Sequence, residues 1–357
     1  MAISQPLEVD LLKSHKLGQA FDSASASYKF YWLLGILDLL PNHPNGKIPV
    51  KLIQAQMVAL ALPTVAYFRL TLGKQDRLQD LVLRLVDELK VPAYTDKWKA
   101  SNEALRLGPS LEMLSDMVPT RFLSPWSGPT NGLKGDKLTA TIEEFALKSQ
   151  DGDEPTPYYL NGDCIQVGEA WHRFLTENRV AIEDYTKLRL VGFLESRNIH
   201  SQSISKKLEI PTVRNLARGR NFWAKTLAEN RGLLINIYSG YALEEPFEVD
   251  HFIPFSFEAT DLLWNLIPTD KVSNIKKSDS LPDIDRHIDA YAAAHKMAIA
   301  AHAKDNTALA DHCAAFAVES HHLVSMSRSE LSNRLKSLIT PRLNYAMSCG
   351  FSHQTTH

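Results

Sequence analysis

The stretch "EVDHFIPFSFEATDLLWNLIPTDKVSNIKKSD", residues 248–279, decides how this chain is read. An acid and a histidine, Asp250 and His251, sit together at the end of a short apolar run. Asn265 follows 14 residues after His251, and Asn274 comes 9 residues after that. Lys271, Lys276 and Lys277 surround the second asparagine. Just upstream, "GLLINIYSGYALEEPFEVDHFIPFSF" (232–257) holds two short apolar runs with a Ser-Gly turn and an acidic turn, which predicts a β-hairpin. Downstream, "TDLLWNLIPTDKVSNIKKSDSLP" (260–282) predicts a loop and then a short helix beginning near Thr269.

These residue types in this order suit phosphodiester hydrolysis. That reaction needs a deprotonated water, stabilisation of the developing negative charge and help for the leaving oxygen. One divalent metal serves the last two needs. Histidine serves the first, because its ordinary pKa lies near neutrality. Mg²⁺ prefers hard oxygen ligands and keeps several waters, so one carboxylate and one amide oxygen suffice from the protein. Neighbours on a strand point to opposite sides. Asp250 can therefore hold a metal while His251 faces the attacking water. Asn274, on the first turns of the short helix, can return its amide oxygen to the metal. Asn265 lies in the connecting loop, where asparagine ties backbone groups together. A lysine-rich surround matches a polyanionic substrate.

The stretch from Leu233 to Pro282 resembles the HNH, or ββα-metal, endonuclease motif. It is most similar to the HNH domain of the RNA-guided CRISPR effector nucleases, where a "VDH" is likewise followed by "P", "SF", "N" and "DK..N..KSD..P". The upstream "IYSGYAL" (237–243) resembles the turn of that family's first hairpin. The resemblance implies His251 as the general base, Asp250 and Asn274 as metal ligands, and Asn265 as the brace for the loop behind the histidine strand. Many family members carry histidine at the third position. Asn274 there implies Mg²⁺ or Mn²⁺ rather than zinc. The C-x-x-C zinc knuckles found in many members are missing, so packing by Phe252, Phe255, Phe257, Trp264 and Ile267 is expected to hold the module.

Outward from the motif the chain is mostly helical in pattern. "ASYKFYWLLGILDLL" (26–40) predicts a core helix ended by "PNHPNG", and "QDRLQDLVLRLVDELK" (75–90) repeats Leu and Val at helical intervals. The acidic, turn-rich "SQDGDEPTPYYLNGD" (149–163) predicts a boundary or long loop. Lys187–Arg231 carries ten bases against three acids. It reads either as a solvated helical face or as a phosphate-binding surface, with Arg214 and Arg218 one helical turn apart. "SISKKLEIPTVRNLARG" (203–219) has the rhythm of a helix-turn-helix, although a plain helical hairpin fits it too. Trp223 reads as a core residue. His295, His302 and His312 lie on Ala-rich helices with no further ligand set beside them. "SYKFYWLLGILDLL" and "RNIHSQSISKKLEIPTVRNLARGRNFW" resemble uncharacterised bacterial HNH proteins, some associated with phage defence.

The 357 residues are 44% hydrophobic and 22% charged, with a net charge of −2, a globular profile. The three cysteines are scattered with no C-x-x-C pair, which argues against a cysteine-bound structural zinc and suits a reducing compartment. The N-terminus lacks an apolar signal core, and "FYWLLGILDLL" (30–40) is too short to span a bilayer. A cytoplasmic protein without membrane contact is therefore expected.

The expected fold is mainly α with a small ββα-metal module. Its expected parts are a helical domain (1–150), a basic helical segment (151–232), the nuclease module (233–283) and a C-terminal helical region (284–357). The expected activity is metal-dependent cleavage of DNA, with RNA as the other substrate class. Two other readings stand beside it: a subunit silent until a protein or nucleic-acid partner activates it, and a non-catalytic nucleic-acid-binding module. One such site cuts one strand, so breaking a duplex would call for a homodimer or a second event.

Overall fold

The computed structural model describes residues 11–22, 24–114, 118–128, 132–152, 154–212 and 215–353. The protein is mainly α, with two small sheets, and divides into two compact units at Ile210/Pro211. That division falls inside the segment read as one basic helical stretch.

In the first unit the apolar run at 26–40 becomes the helix Tyr28–Leu39, nearly all of it buried. It packs against Val50–Leu62, which in turn packs against Lys97–Ala104. The helical stretch Val50–Tyr67 has the length and mean hydropathy (1.3) of a membrane span. Most of it is buried against its neighbours, as a core helix is. The predicted boundary at 149–163 lies within this unit. β2 (Tyr158–Asn161) and β3 (Cys164–Val167) form a hairpin there, and β1 (Lys47–Pro49) pairs with β3, giving a sheet of order β1-β3-β2. A pairing between residues more than a hundred positions apart leaves no local signal. The buried Asp38 carboxylate is met by Lys97 (2.8 Å), Arg179 (3.0 Å) and Gln56 (2.9 Å), which offsets the cost of burying its charge.

The second unit carries the motif. β4 (Glu248–His251) pairs antiparallel with β5 (Leu266–Thr269), with Asp250 opposite Ile267 and His251 opposite Leu266. The helix Lys271–Lys277 follows, capped by Asp270, whose carboxylate accepts from the Ser273 backbone N–H at 2.8 Å. Strand, strand and helix are thus the ββα order. The expected hairpin between the two apolar runs does not form. The first run closes on itself around Tyr238–Gly240 through an Ile235–Ala242 bridge, and the second pairs with β5, which had read as loop. β5 is only four residues long and buried on both faces, so it shows no alternation.

The helix Ala217–Glu229 lies against this sheet. Gly219 permits the approach, since a Cβ there would sit 2.7 Å from a Leu266 methyl. Below the sheet, Ile284–Ala301 and Arg328–Ser348 complete a core that includes Trp223, Phe252, Phe257, Trp264, Ile267, Tyr291, Leu335 and Ile339. Phe252, Phe255, Phe257, Trp264 and Ile267 are all buried. Fully burying one such aromatic contributes about 2–3 kcal/mol. The helix-turn-helix does not form. Residues 204–207 make a single 3-10 turn in the first unit, and Ala217–Glu229 belongs to the second.

Candidate active site

At the end of β4 the side chains of Asp250 and His251 take separate sets of partners. Asp250 Oδ2 accepts from the Tyr238 hydroxyl at 2.8 Å and pairs with Lys277 Nζ at 3.1 Å. His251 turns instead to the loop that follows, with Nε2 2.7 Å from Asp261 Oδ1 and its ring edge-on to Phe255. Both residues are at least nine-tenths buried.

The helix Lys271–Lys277 faces the strand with Asn274 and Lys277, three residues apart and hence on one side. Asn274 Nδ2 donates to Glu248 Oε2 at 2.5 Å. Glu248 lies two residues before Asp250, so the two carboxylates share one strand face. Lys277 also donates to the His251 carbonyl at 2.7 Å. It was expected to face substrate, but it is buried and committed to the strand. Removing either member of this buried pair would leave a lone charge, at a cost of about 3–5 kcal/mol. Lys271 and Lys276 lie on the exposed side, beside the exposed Val272 and Ile275.

Asn265 is fully buried, and its side chain holds both backbone groups of Ile253. Oδ1 accepts from the Ile253 N–H at 2.8 Å, and Nδ2 donates to the Ile253 carbonyl at 2.9 Å. The Phe252 N–H reaches the Asn265 carbonyl at 2.8 Å. The chain leaving His251 is therefore clamped to the start of β5.

The electrostatics follow from burial. The Tyr238 phenol is held well above its ordinary pKa, first by burial and then by the Asp250 charge. It stays a neutral donor to that carboxylate. The Asp270 carboxyl is held below its usual range by the hydrogen bonds it accepts from Ser273.

Asp250, Asn274 and Glu248 supply carboxylate and amide oxygens from one strand face and the helix opposite. That donor chemistry fits a hard divalent cation such as Mg²⁺ or Mn²⁺. Asp250 meets its protein partners through Oδ2 only, and Asn274 through Nδ2 only, so Asp250 Oδ1 and the Asn274 amide oxygen have no partner among the described residues. Among the described residues there is no group of three or more His, Cys, Asp and Glu side chains arranged to hold a metal, so the amide of Asn274 matters to the set.

Arg214 and Arg218 were the other expected contacts. Arg214 falls outside the described residues. Arg218 is half exposed, and its guanidinium pairs with Asp311 at 2.9 Å. In the first unit, Lys187 pairs with Glu183 and Glu209, Arg189 pairs with Asp22, and the buried Lys207 donates to Ser201. Much of the basic stretch is thus engaged within the two units.

Residues 236–283 match the family model described as HNH endonuclease. This segment is an HNH module. No curated protein and no solved structure matches the chain. HNH endonucleases are nucleic-acid hydrolases and are generally dependent on a divalent metal. The HNH module supplies Asp250, His251, Asn265 and Asn274. It also brings in three side chains that the motif spacing did not single out: Glu248, Tyr238 and Asp261. Two were visible as acids, one two residues before Asp250 and one in the loop between His251 and Asn265. Only the folded strand and loop aim them.

Proposed function

We propose that the protein is a metal-dependent HNH endonuclease that hydrolyses phosphodiester bonds in DNA. His251 acts as the general base: it takes a proton from the attacking water. Asp250 and Asn274 hold a Mg²⁺ or Mn²⁺ ion, with Glu248 on the same strand face. When bound, such an ion would stabilise the negative charge that develops in the transition state. Attack on phosphorus expels the 3′ oxygen and leaves 5′-phosphate and 3′-hydroxyl ends. Asn265 keeps the histidine strand and its loop in register, and Lys271 and Lys276 offer exposed positive charge to the phosphate backbone.

The observation that carries this reading is the divergence of two adjacent side chains at the end of β4, Asp250 toward the oxygen-rich face opposite Asn274 and His251 toward Asp261. On this reading the metal site and the base stand side by side without competing for one another. The test is cleavage of supercoiled plasmid by the purified chain with Mg²⁺, Mn²⁺ or EDTA, with His251→Ala in parallel. Cutting that needs both metal and His251 is expected. Equal cutting by His251→Ala sinks the assignment of the base.

A second reading is favoured by one feature. Residues 1–210 form a compact unit that holds none of the site residues. We propose that this unit receives a protein or nucleic-acid signal that activates the nuclease. Weak cutting by the chain alone and strong cutting with its activator is then expected. A cytoplasmic setting in bacterial phage defence belongs to the same proposal and rests on the resemblance of the flanking segments to bacterial HNH proteins.

A further inference from the structure

We propose that Asp261 is the positioning residue for His251, fixing which ring nitrogen meets the attacking water; this rests on the reading of His251 as general base. An ionised carboxylate can only accept a hydrogen bond. At 2.7 Å from Asp261 Oδ1, Nε2 of His251 is therefore the donor, which leaves Nδ1 as the ring nitrogen that can face water. Nδ1 has no protein partner among the described residues and is not among the buried unpartnered atoms. It is the nitrogen left to take a proton from water.

The fold holds this pair from both ends. Two residues past His251, Ile253 is clamped by Asn265 at 2.8 and 2.9 Å. Two residues past Asp261, the Leu263 N–H donates to Asp311 at 2.8 Å, and Asp311 is held by Arg218 at 2.9 Å. Between them, the turn Phe255–Glu258 ends at Ala259, which adopts a left-handed conformation (φ 56°) and sends the chain back toward His251. A non-glycine residue held there indicates a loop whose path is imposed by its surroundings. Asp261 itself is 35% exposed, and the loop's anchors are other residues. Its carboxylate is aimed at the ring, and Tm reads whether the fold needs that contact.

The test uses the full chain labelled with ¹⁵N at histidine, with His251→Ala to identify the His251 resonances. A hydrogen-bonded, exchange-protected Nε2–H is expected in the wild type and is expected to vanish in Asp261→Ala. On supercoiled plasmid with Mn²⁺, Asp261→Ala is expected to lower kcat about 10–100-fold, part of the roughly 10²–10⁴-fold that a positioned general base contributes. KM and Tm stay unchanged, and Asp261→Glu recovers part of the loss. A wild-type His251 protonated on Nδ1, or wild-type kcat in Asp261→Ala, overturns the proposal. Equal cutting by wild type and His251→Ala would instead sink the general-base reading, while the Nε2–H signal would still decide whether Asp261 sets the ring.

Discussion

The second unit buries histidines in two contrasting ways. His251 is enclosed at the end of β4, but its Nε2 faces a carboxylate. His295 and His312 share one hydrogen bond of 3.0 Å between their rings deep in the core, against Trp223, Phe222 and Tyr291. The outer nitrogens of that pair, Nε2 of His295 and Nδ1 of His312, have no partner among the described residues. Burial holds both imidazoles below their ordinary pKa, His295 well below and His312 at about 4. The contrast teaches that burial alone does not make a histidine reactive. On the proposed reading, a carboxylate on one side and access on the other prepare His251 for proton transfer, whereas two rings in an apolar core are kept neutral and act as packing.

The largest expected effect falls on the first region. His251→Ala and Asp250→Ala should each lower cleavage about a thousandfold, within the range of general-base and charge-stabilising contributions. For His251→Ala, circular dichroism should be unchanged. Loss of fold in His251→Ala would erase the distinction between the two regions.

Acid should reveal the second region. The folded pKa values of His295 and His312 are depressed, so the unfolded chain binds more protons below about pH 6.5. Their stabilising contribution is complete above that pH and falls as pH drops toward the folded values, by about 1 kcal/mol per pH unit for each histidine. Denaturant unfolding at pH 7 and pH 5 measures it. A His295→Leu/His312→Leu double variant should flatten the dependence, and an equal slope in that variant would refute the account.

Next comes the clamp. Asn265→Ala removes two buried hydrogen bonds to Ile253 and should destabilise the protein by about 2–3 kcal/mol. Urea unfolding reads the loss, and cleavage should fall as the loop behind His251 loosens. The smallest effect belongs to Arg218→Ala. Its half-exposed pair with Asp311 is worth less than about 1 kcal/mol. Because the guanidinium is engaged within the protein, the salt dependence of DNA binding should change by less than the slope of about one expected for a lost phosphate contact. A full loss of that slope would restore Arg218 to the nucleic-acid surface.

How much was legible depended on the range of the interaction. The helix beginning near Thr269 was readable because Asp270 caps it locally and its charges lie at helical spacing. The Ala-rich C-terminal helices were readable for the same reason. β5 and the sheet joining Lys47–Pro49 to Cys164–Val167 were not, because their pairing partners lie far off or across an irregular loop. Lys277 was misdirected because a lysine count does not say which side of a helix faces a strand. The packing of Asn274 and Lys277 on one side settled it.

The residue types and intervals around Asp250, His251, Asn265 and Asn274 were enough to point to an HNH module, because a ββα unit is short and its motif residues lie close together in sequence. Tertiary structure alone decided that Asp261 reaches His251, that Glu248 joins Asp250 and Asn274, and that Lys277 serves the strand instead of the solvent. The reason is geometric. A side chain's direction depends on strand register, on the helix face turned inward and on a left-handed turn at Ala259. All three are imposed by packing against residues distant in the chain.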